Sequence, residues 1–357
     1  MRIREVLCSV LSSHAAISLM YFSYIYRDVS NQSVLQLFFL GSTLLILFLF
    51  IRTNNSLIIK IAIIAKIIIL ISFDFIFLFK YFDIFISGFI SSTSIIYALG
   101  EVTKSKNKAK ASARLLIYIN LITLVLLSSI GYIDNVFLIK IIYLLSLILI
   151  LFYIYLEGNL PWKNPNCNDI FKTLKKIPIN SIIVYMSSIF TINTFYLVVG
   201  EIDFNISLFG SMTVFYIQSM FILGVFLNFL FIKKINIPPG SSNFIGLILI
   251  SLIFINFKHV FEIISTYTLA ISLLIGFLTS FVISNTISGF SNLSTNNEKI
   301  ILVVYLTIGQ LCFSLMMQYS SMFLGITMTD WDVVVYITLL PIIIQRLAPK
   351  KYNKGEI

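Results

Sequence analysis

The sequence predicts an all-α polytopic membrane protein: twelve transmembrane helices arranged as two six-helix bundles, with the N- and C-termini cytoplasmic. Three observations predict it. Hydrophobic residues make up 59% of the 357 and charged residues 11%, with a mean hydropathy of +0.99, outside the range of a soluble globular domain. The apolar residues come in blocks of roughly 17 to 25, the length a helix needs to cross about 30 Å of hydrocarbon. Basic residues flank these blocks asymmetrically.

Taken in order, breaks at charged or turn-rich points leave spans near 5–26, 34–51, 57–79, 84–100, 115–133 and 135–156, then 179–200, 206–231, 242–257, 261–288, 300–322 and 333–346. The first opens on MRIREVLCSVLSSHAAISLMYFSYIY, whose basic start and long apolar run read as an uncleaved helix rather than a signal peptide. Runs such as 141–155 (IIYLLSLILILFYIY) lack the alternating polarity of a β-barrel strand, so helices are the expected spanning element. The longest interruption, 157–178 (EGNLPWKNPNCNDIFKTLKKIP), is expected to be a central cytoplasmic loop. It separates an N-terminal bundle, 1–156, from a C-terminal bundle, 179–357.

Threading twelve spans with the N-terminus inside places 20 of the 25 bases in the cytoplasm, leaving Arg27, Lys66, Lys80, Lys140 and Lys258 outside or within spans. Asp28, Asp83, Asp134, Glu201, Asp203, Glu262, Asp330 and Asp332 gather on the far side. The formal charge of +10 is thereby explained by topology, and a nucleic-acid partner is not implied because the bases flank apolar spans rather than forming a solvated patch. The cluster Lys104, Lys106, Lys108, Lys110 and Arg114 is sufficiently explained as a topology anchor. Cys8 and Cys312 fall in spans and Cys167 in a loop, so no disulfide framework is implied. An internal echo pairs RLLIYINLITL from Arg114 with KIILVVYLTIGQL from Lys299, an offset of 185 residues, and Arg52 pairs with Lys233 at an offset of 181.

Six plus six helices about a central cytoplasmic loop resemble the major facilitator superfamily, whose halves are parallel repeats about an axis along the membrane normal. Of that family's pattern between the second and third spans, IRTNNSLIIK keeps Arg52 and Lys60 but neither the acid nor the glycine. The fifth span, LITLVLLSSIG, ends on the lone Gly131 and carries no Gly/Pro-rich antiporter stretch. The stretches YRDVSNQSVLQLFF, YALGEVTKSKNKAKASAR and SSIFTINTFYLVVGEI look like the sugar efflux branch. That resemblance places Arg27 and Asp28 at the outer end of the first span, Glu101 at the inner end of the fourth, and Asn193 inside the seventh.

Ionisable residues at membrane depth are functional candidates because their burial is costly. His14 is one, beside Ser12, Ser13 and Ser18: it suits a proton-coupled step, or donates a single hydrogen bond to a neighbouring helix. Asp74 is another, exchanging a proton during a cycle or pairing with Lys66 or Lys80 as packing glue. With Asp28, these are the coupling candidates. The amides Asn193, Gln218, Asn285 and Gln310 are the substrate-binding candidates, with Asn228 and Gln318 as further cavity amides, since an amide donates to and accepts from hydroxyl-rich solutes at once. The same side chains also serve as interhelical bonds of roughly 0.6 kcal/mol. Rings such as Tyr196, Phe215, Tyr216 and Tyr305 would stack on a sugar or amphipathic ligand. Few acids fall inside spans, which argues against a strongly cation-selective exporter.

Neither His14 nor His259 has motif partners, and no HExxH, GxSxG, Walker loop or paired-cysteine metal site occurs, so no enzyme, cofactor or metal is implied. The expectation is a monomeric secondary transporter, an exporter of a small polar or amphipathic and sugar-like solute, with protons as a coupling partner, in a bacterial inner membrane. The alternatives are a flippase of lipid-linked oligosaccharide and an integral-membrane glycan polymerase or acyltransferase. A flippase requires a strongly polar central cavity, and the enzyme requires large external loops or buried catalytic His and Arg.

Overall fold

The computed structural model describes residues 31–51, 56–72, 79–132, 136–157, 213–232 and 265–291, with individual residues inside 13–26, 241–249 and 308–315. Its described helices are α1 (Asn31–Ile51), α2 (Ser56–Ile71), α3 (Lys80–Thr103), α4 (Lys108–Tyr132), α5 (Val136–Glu157), α6 (Thr213–Phe231) and α7 (Ser265–Ser291). Each overlaps an apolar block of the sequence. Lys80–Val102, Phe137–Leu156 and Leu269–Gly289 are long and apolar enough to cross a membrane, and Phe215–Phe231 is a shorter apolar helix. Every described element is an α-helix, in keeping with an integral membrane protein.

Two helix starts differ from the sequence expectation. α4 begins at Lys108, so Lys108, Lys110 and Arg114 ride on the helix instead of a loop. Asn107 explains the earlier start: its side-chain oxygen accepts from the Lys110 amide at 3.0 Å, capping an otherwise orphaned donor. α3 begins at Lys80, which draws Asp83 into the first helical turn, where a carboxylate is favoured by the exposed amide dipoles.

The helices group into two compact units. The first holds α1, α2, α3, residues 118–132 of α4, α5 and the described residues of 13–26 and 308–315; the second holds residues 107–117, α6, α7 and the described residues of 241–249. In the first, α2 is sharply two-sided. Ile59, Ile63, Lys66 and Leu70 are buried at helical spacing, while Leu57, Ile61, Ile64 and Ile68 are exposed, an apolar outer face suited to lipid. α3 is lined with small hydroxyl residues, and Ser87, Ser91, Ser92, Thr93 and Ser94 are all buried. Several satisfy themselves locally, as Ser92 does by donating to the Gly88 carbonyl at 3.0 Å.

α1 packs on α3 through reciprocal glycines. A Cβ on Gly41 would run into the Phe85 carbonyl, and a Cβ on Gly88 would run into that of Phe38. The close approach lets the Ser42 hydroxyl donate to the Gly88 carbonyl at 2.9 Å. The second unit repeats the device: Gly224 of α6 faces the main chain of α7 at Leu273 and Phe277, and Gly276 of α7 faces the Phe221 carbonyl. In each unit the glycine of one helix meets the residue three positions before the glycine of the other. Across this seam the Ser272 hydroxyl donates to the Ile217 carbonyl at 2.7 Å and the Asn228 amide to Ser280 at 2.8 Å. Ile217, Phe221, Val225, Ile275, Leu278 and Val282 fill the core around it.

Candidate functional site

The densest polar cluster among the described residues lies inside the first unit. Four segments build it: 13–26 supplies His14, Ser18, Tyr21, Phe22 and Tyr26; α2 supplies Lys66; α3 supplies Asp83 and Ser87; α5 supplies Tyr143 and Ser146. Lys66 and Asp83 are both fully buried and form an ion pair. The Tyr26 hydroxyl donates to the second carboxylate oxygen at 3.0 Å. Around the ammonium stand three aromatic rings, with Lys66 Nζ 5.2 Å from the Tyr21 centroid, 5.1 Å from Phe22 and 4.9 Å from Tyr143. A charge here is tolerated because carboxylate and π faces replace its lost hydration.

A second layer holds the rings. Tyr143 stacks between His14, at 5.3 Å between centroids, and Tyr21, at 4.8 Å. Hydroxyls fix its edge: Ser18 shares its one hydroxyl proton between the His14 main-chain carbonyl at 2.8 Å and the Tyr143 hydroxyl at 3.1 Å, Tyr143 donates to Ser87 at 2.9 Å, and Ser87 donates to the main-chain carbonyl of Asp83 at 2.7 Å. Ser146 donates to the Tyr143 carbonyl at 2.7 Å, so its hydroxyl oxygen faces His14 Nδ1, 3.1 Å away, as an acceptor. This pattern assigns the neutral ring a proton on Nδ1. A Tyr143→Phe variant keeps the ring and removes the hydroxyl; about 0.5–1.5 kcal/mol of stability is the expected loss, read as a lower thermal midpoint in detergent. A change within error would show that the hydroxyl chain contributes nothing.

Of the coupling candidates, His14 belongs to this cluster, while Asp28 and Asp74 lie outside the described residues. Lys66, one of two bases the sequence offered Asp74 as a partner, forms an ion pair with Asp83, which the sequence reading left one residue outside the fourth span. Among the substrate-binding candidates, Gln218 is half-buried on α6, Gln310 is half-buried in 308–315, and Asn193 lies outside the described residues. Asn285 is buried on α7; its amide nitrogen donates to the Phe281 carbonyl at 2.9 Å, and its side-chain oxygen has no hydrogen-bond partner among the described residues. Phe215 and Tyr216 are exposed on α6, whereas Tyr196 and Tyr305 lie outside the described residues. Sequence reasoning missed Asp83, Tyr21, Phe22 and Tyr143 as a group, since no local spacing links residues that three separate segments contribute. One local signal existed: a carboxylate abutting an apolar block is as readily the first turn of a helix as the end of a loop.

No protein-family model matches the sequence, and no curated protein matches it. Solved structures match over nearly the whole chain. A bacterial homologue of the iron transporter ferroportin, in an outward-facing state, superposes with a TM-score of 0.64 at 12% identity, covering 97% of this chain and 98% of that one. The E. coli fucose:proton symporter FucP superposes at 0.57 with 15% identity, covering 96% of each chain. The human organic anion transporter MFSD10 superposes at 0.62 with 11% identity, covering 97% of this chain and 100% of the other. The chain therefore has the major facilitator fold in a divergent sequence.

Proposed function

We propose that this protein is a secondary active transporter, moving a small polar or amphipathic solute by alternating access between two six-helix bundles, 1–156 and 179–357, joined by the cytoplasmic loop 157–178. The observation that carries the reading is structural similarity, over nearly the whole of this chain, to three transporters of different solutes. Twelve spans with cytoplasmic termini in a bacterial inner membrane agree with the distribution of bases. Export of a sugar-like solute is the sharper form of the proposal, resting on the efflux-like stretches. Asn193, Gln218, Asn285 and Gln310 are its proposed solute contacts, and His14, Asp28 and Asp74 its proposed coupling residues. The Asn285 side-chain oxygen, which has no partner among the described residues, supports a solute-facing role, because a buried acceptor without a donor is costly to keep.

Purified protein in proteoliposomes, screened with sugars and amphiphiles with and without an imposed pH gradient, tests this. Gradient-dependent flux, diminished in His14→Ala, is the expected result. A folded protein that moves no solute of either class would overturn secondary transport and move weight to flipping of lipid-linked substrates.

A further inference from the structure

The Lys66 ammonium at the centre of the first unit is held by a carboxylate and three aromatic faces together. Resting on the transport reading and narrowing its solute class, we infer that Asp83 with the rings of Tyr21, Phe22 and Tyr143 is a recognition site for a primary alkylammonium group. Lys66 is the tethered occupant of that site, displaced when an amphipathic amine binds.

Three observations carry this. First, one carboxylate and three aromatic faces at 4.9–5.2 Å are the chemistry that recognises an ammonium on an apolar stem. A site built only to take up a proton needs the carboxylate and gains nothing from the rings. The hydroxyl chain agrees: it runs Ser18, Tyr143, Ser87 and ends on the Asp83 main-chain carbonyl, so it delivers no proton to the carboxylate. Among the described residues, the titratable groups around the carboxylate are Lys66 and Tyr26, in direct contact, with Tyr21 and Tyr143 beyond them and His14 stacked behind Tyr143.

Second, the occupant and the cage have different mountings. The carboxylate and rings belong to 13–26, α3 and α5, cross-linked by the hydroxyl chain and the ring stack. Lys66 alone comes from α2, whose opposite face of Leu57, Ile61, Ile64 and Ile68 is exposed apolar surface. An outward shift of α2 in lipid would withdraw the ammonium while leaving the cage assembled. Third, the exposed apolar face of α2 is chemically suited to an alkyl tail, so an amphipathic amine would reach the site along it. The scarcity of acids within spans, which weighed against a cationic solute, loses its force once Asp83 is inside a helix and buried.

The test uses full-length protein in nanodiscs with n-butylammonium chloride as the probe and n-butanol as a neutral control. Saturable binding of radiolabelled probe is expected, unaffected by butanol, together with faster hydrogen exchange of the α2 amides around Lys66. Absence of either in the wild type overturns the inference. A Lys66→Met/Asp83→Asn variant is expected to bind at least tenfold more weakly; equal binding would mean partition into lipid and would also overturn it. The two proposals fail separately. Flux of sugars without probe binding removes the ammonium site and leaves the transporter, whereas probe binding without flux of any solute leaves the site and removes the transporter.

Discussion

Introduced singly, Lys66→Met and Asp83→Asn are each expected to cost about 3–5 kcal/mol of stability, while the double variant recovers most of that loss. Either single change strands an uncompensated polar group. In Lys66→Met the carboxylate keeps only the Tyr26 hydroxyl, and in Asp83→Asn the ammonium keeps three rings and an amide oxygen without a counter-charge. A buried charge stripped of its partner still bears the full cost of leaving water, which is several kcal/mol per ion. Replacing both members removes both costs, and Met fills much of the volume of the lysine stem within the same rings. Thermal midpoints and folded yield of the two single variants and the double in detergent check this. Single changes that are neutral, or a double whose loss is the sum of the two, would show that the pair is solvated.

The reciprocal glycines yield the second large effect. At an ordinary helix position Gly→Ala stabilises by roughly 0.8–1.0 kcal/mol through backbone entropy. At Gly88 and Gly276 the sign is expected to reverse, because the added methyl meets a main-chain carbonyl of the facing helix, at Phe38 and Phe221 respectively, rather than a side chain that can rotate away. Overpacking of this kind costs about 1–3 kcal/mol as the helices are pushed apart. The Ser42 bond to Gly88 and the Ser272 bond to Ile217 would lengthen with it. A leucine at either position is expected to prevent the seam from closing and to abolish folded yield. Thermal midpoints of the alanine variants decide the matter, and a gain in stability at both positions would refute the close approach in each unit. An effect in one unit alone would instead limit the device to that pair of helices.

The hydroxyl chain bears on how the first prediction is read. Because it holds Tyr143 and Ser87 independently of the carboxylate, the rings are expected to stay in place in the double variant. Stability and ligand recognition can then be separated in one protein. His14 closes the far side of this arrangement: its bond to Ser146 on α5 and its stacking on Tyr143 hold the ring that roofs the ammonium.

Much of the architecture was legible in the sequence. Membrane residence, helical spans and approximate helix positions are set by block length and hydropathy, which are properties of contiguous residues. α1 and α5 follow their apolar blocks within a few residues for that reason, and α4 starts early because Asn107, a local capping signal, lies ahead of the block. His14 was recognisable because a titratable side chain flanked by serines in an apolar run is conspicuous by itself. The partner of Lys66 was decided only by the tertiary structure. Asp74 is nearer in sequence, but Asp83 is the acid that the packing of α3 against α2 brings to the ammonium. The cage was illegible for the same reason: its rings come from two segments far apart in the chain, and among so many aromatic residues nothing local distinguishes a ring over a charge from one facing lipid. Spans are fixed by local solvation, whereas a buried charge is matched to its partner by long-range packing.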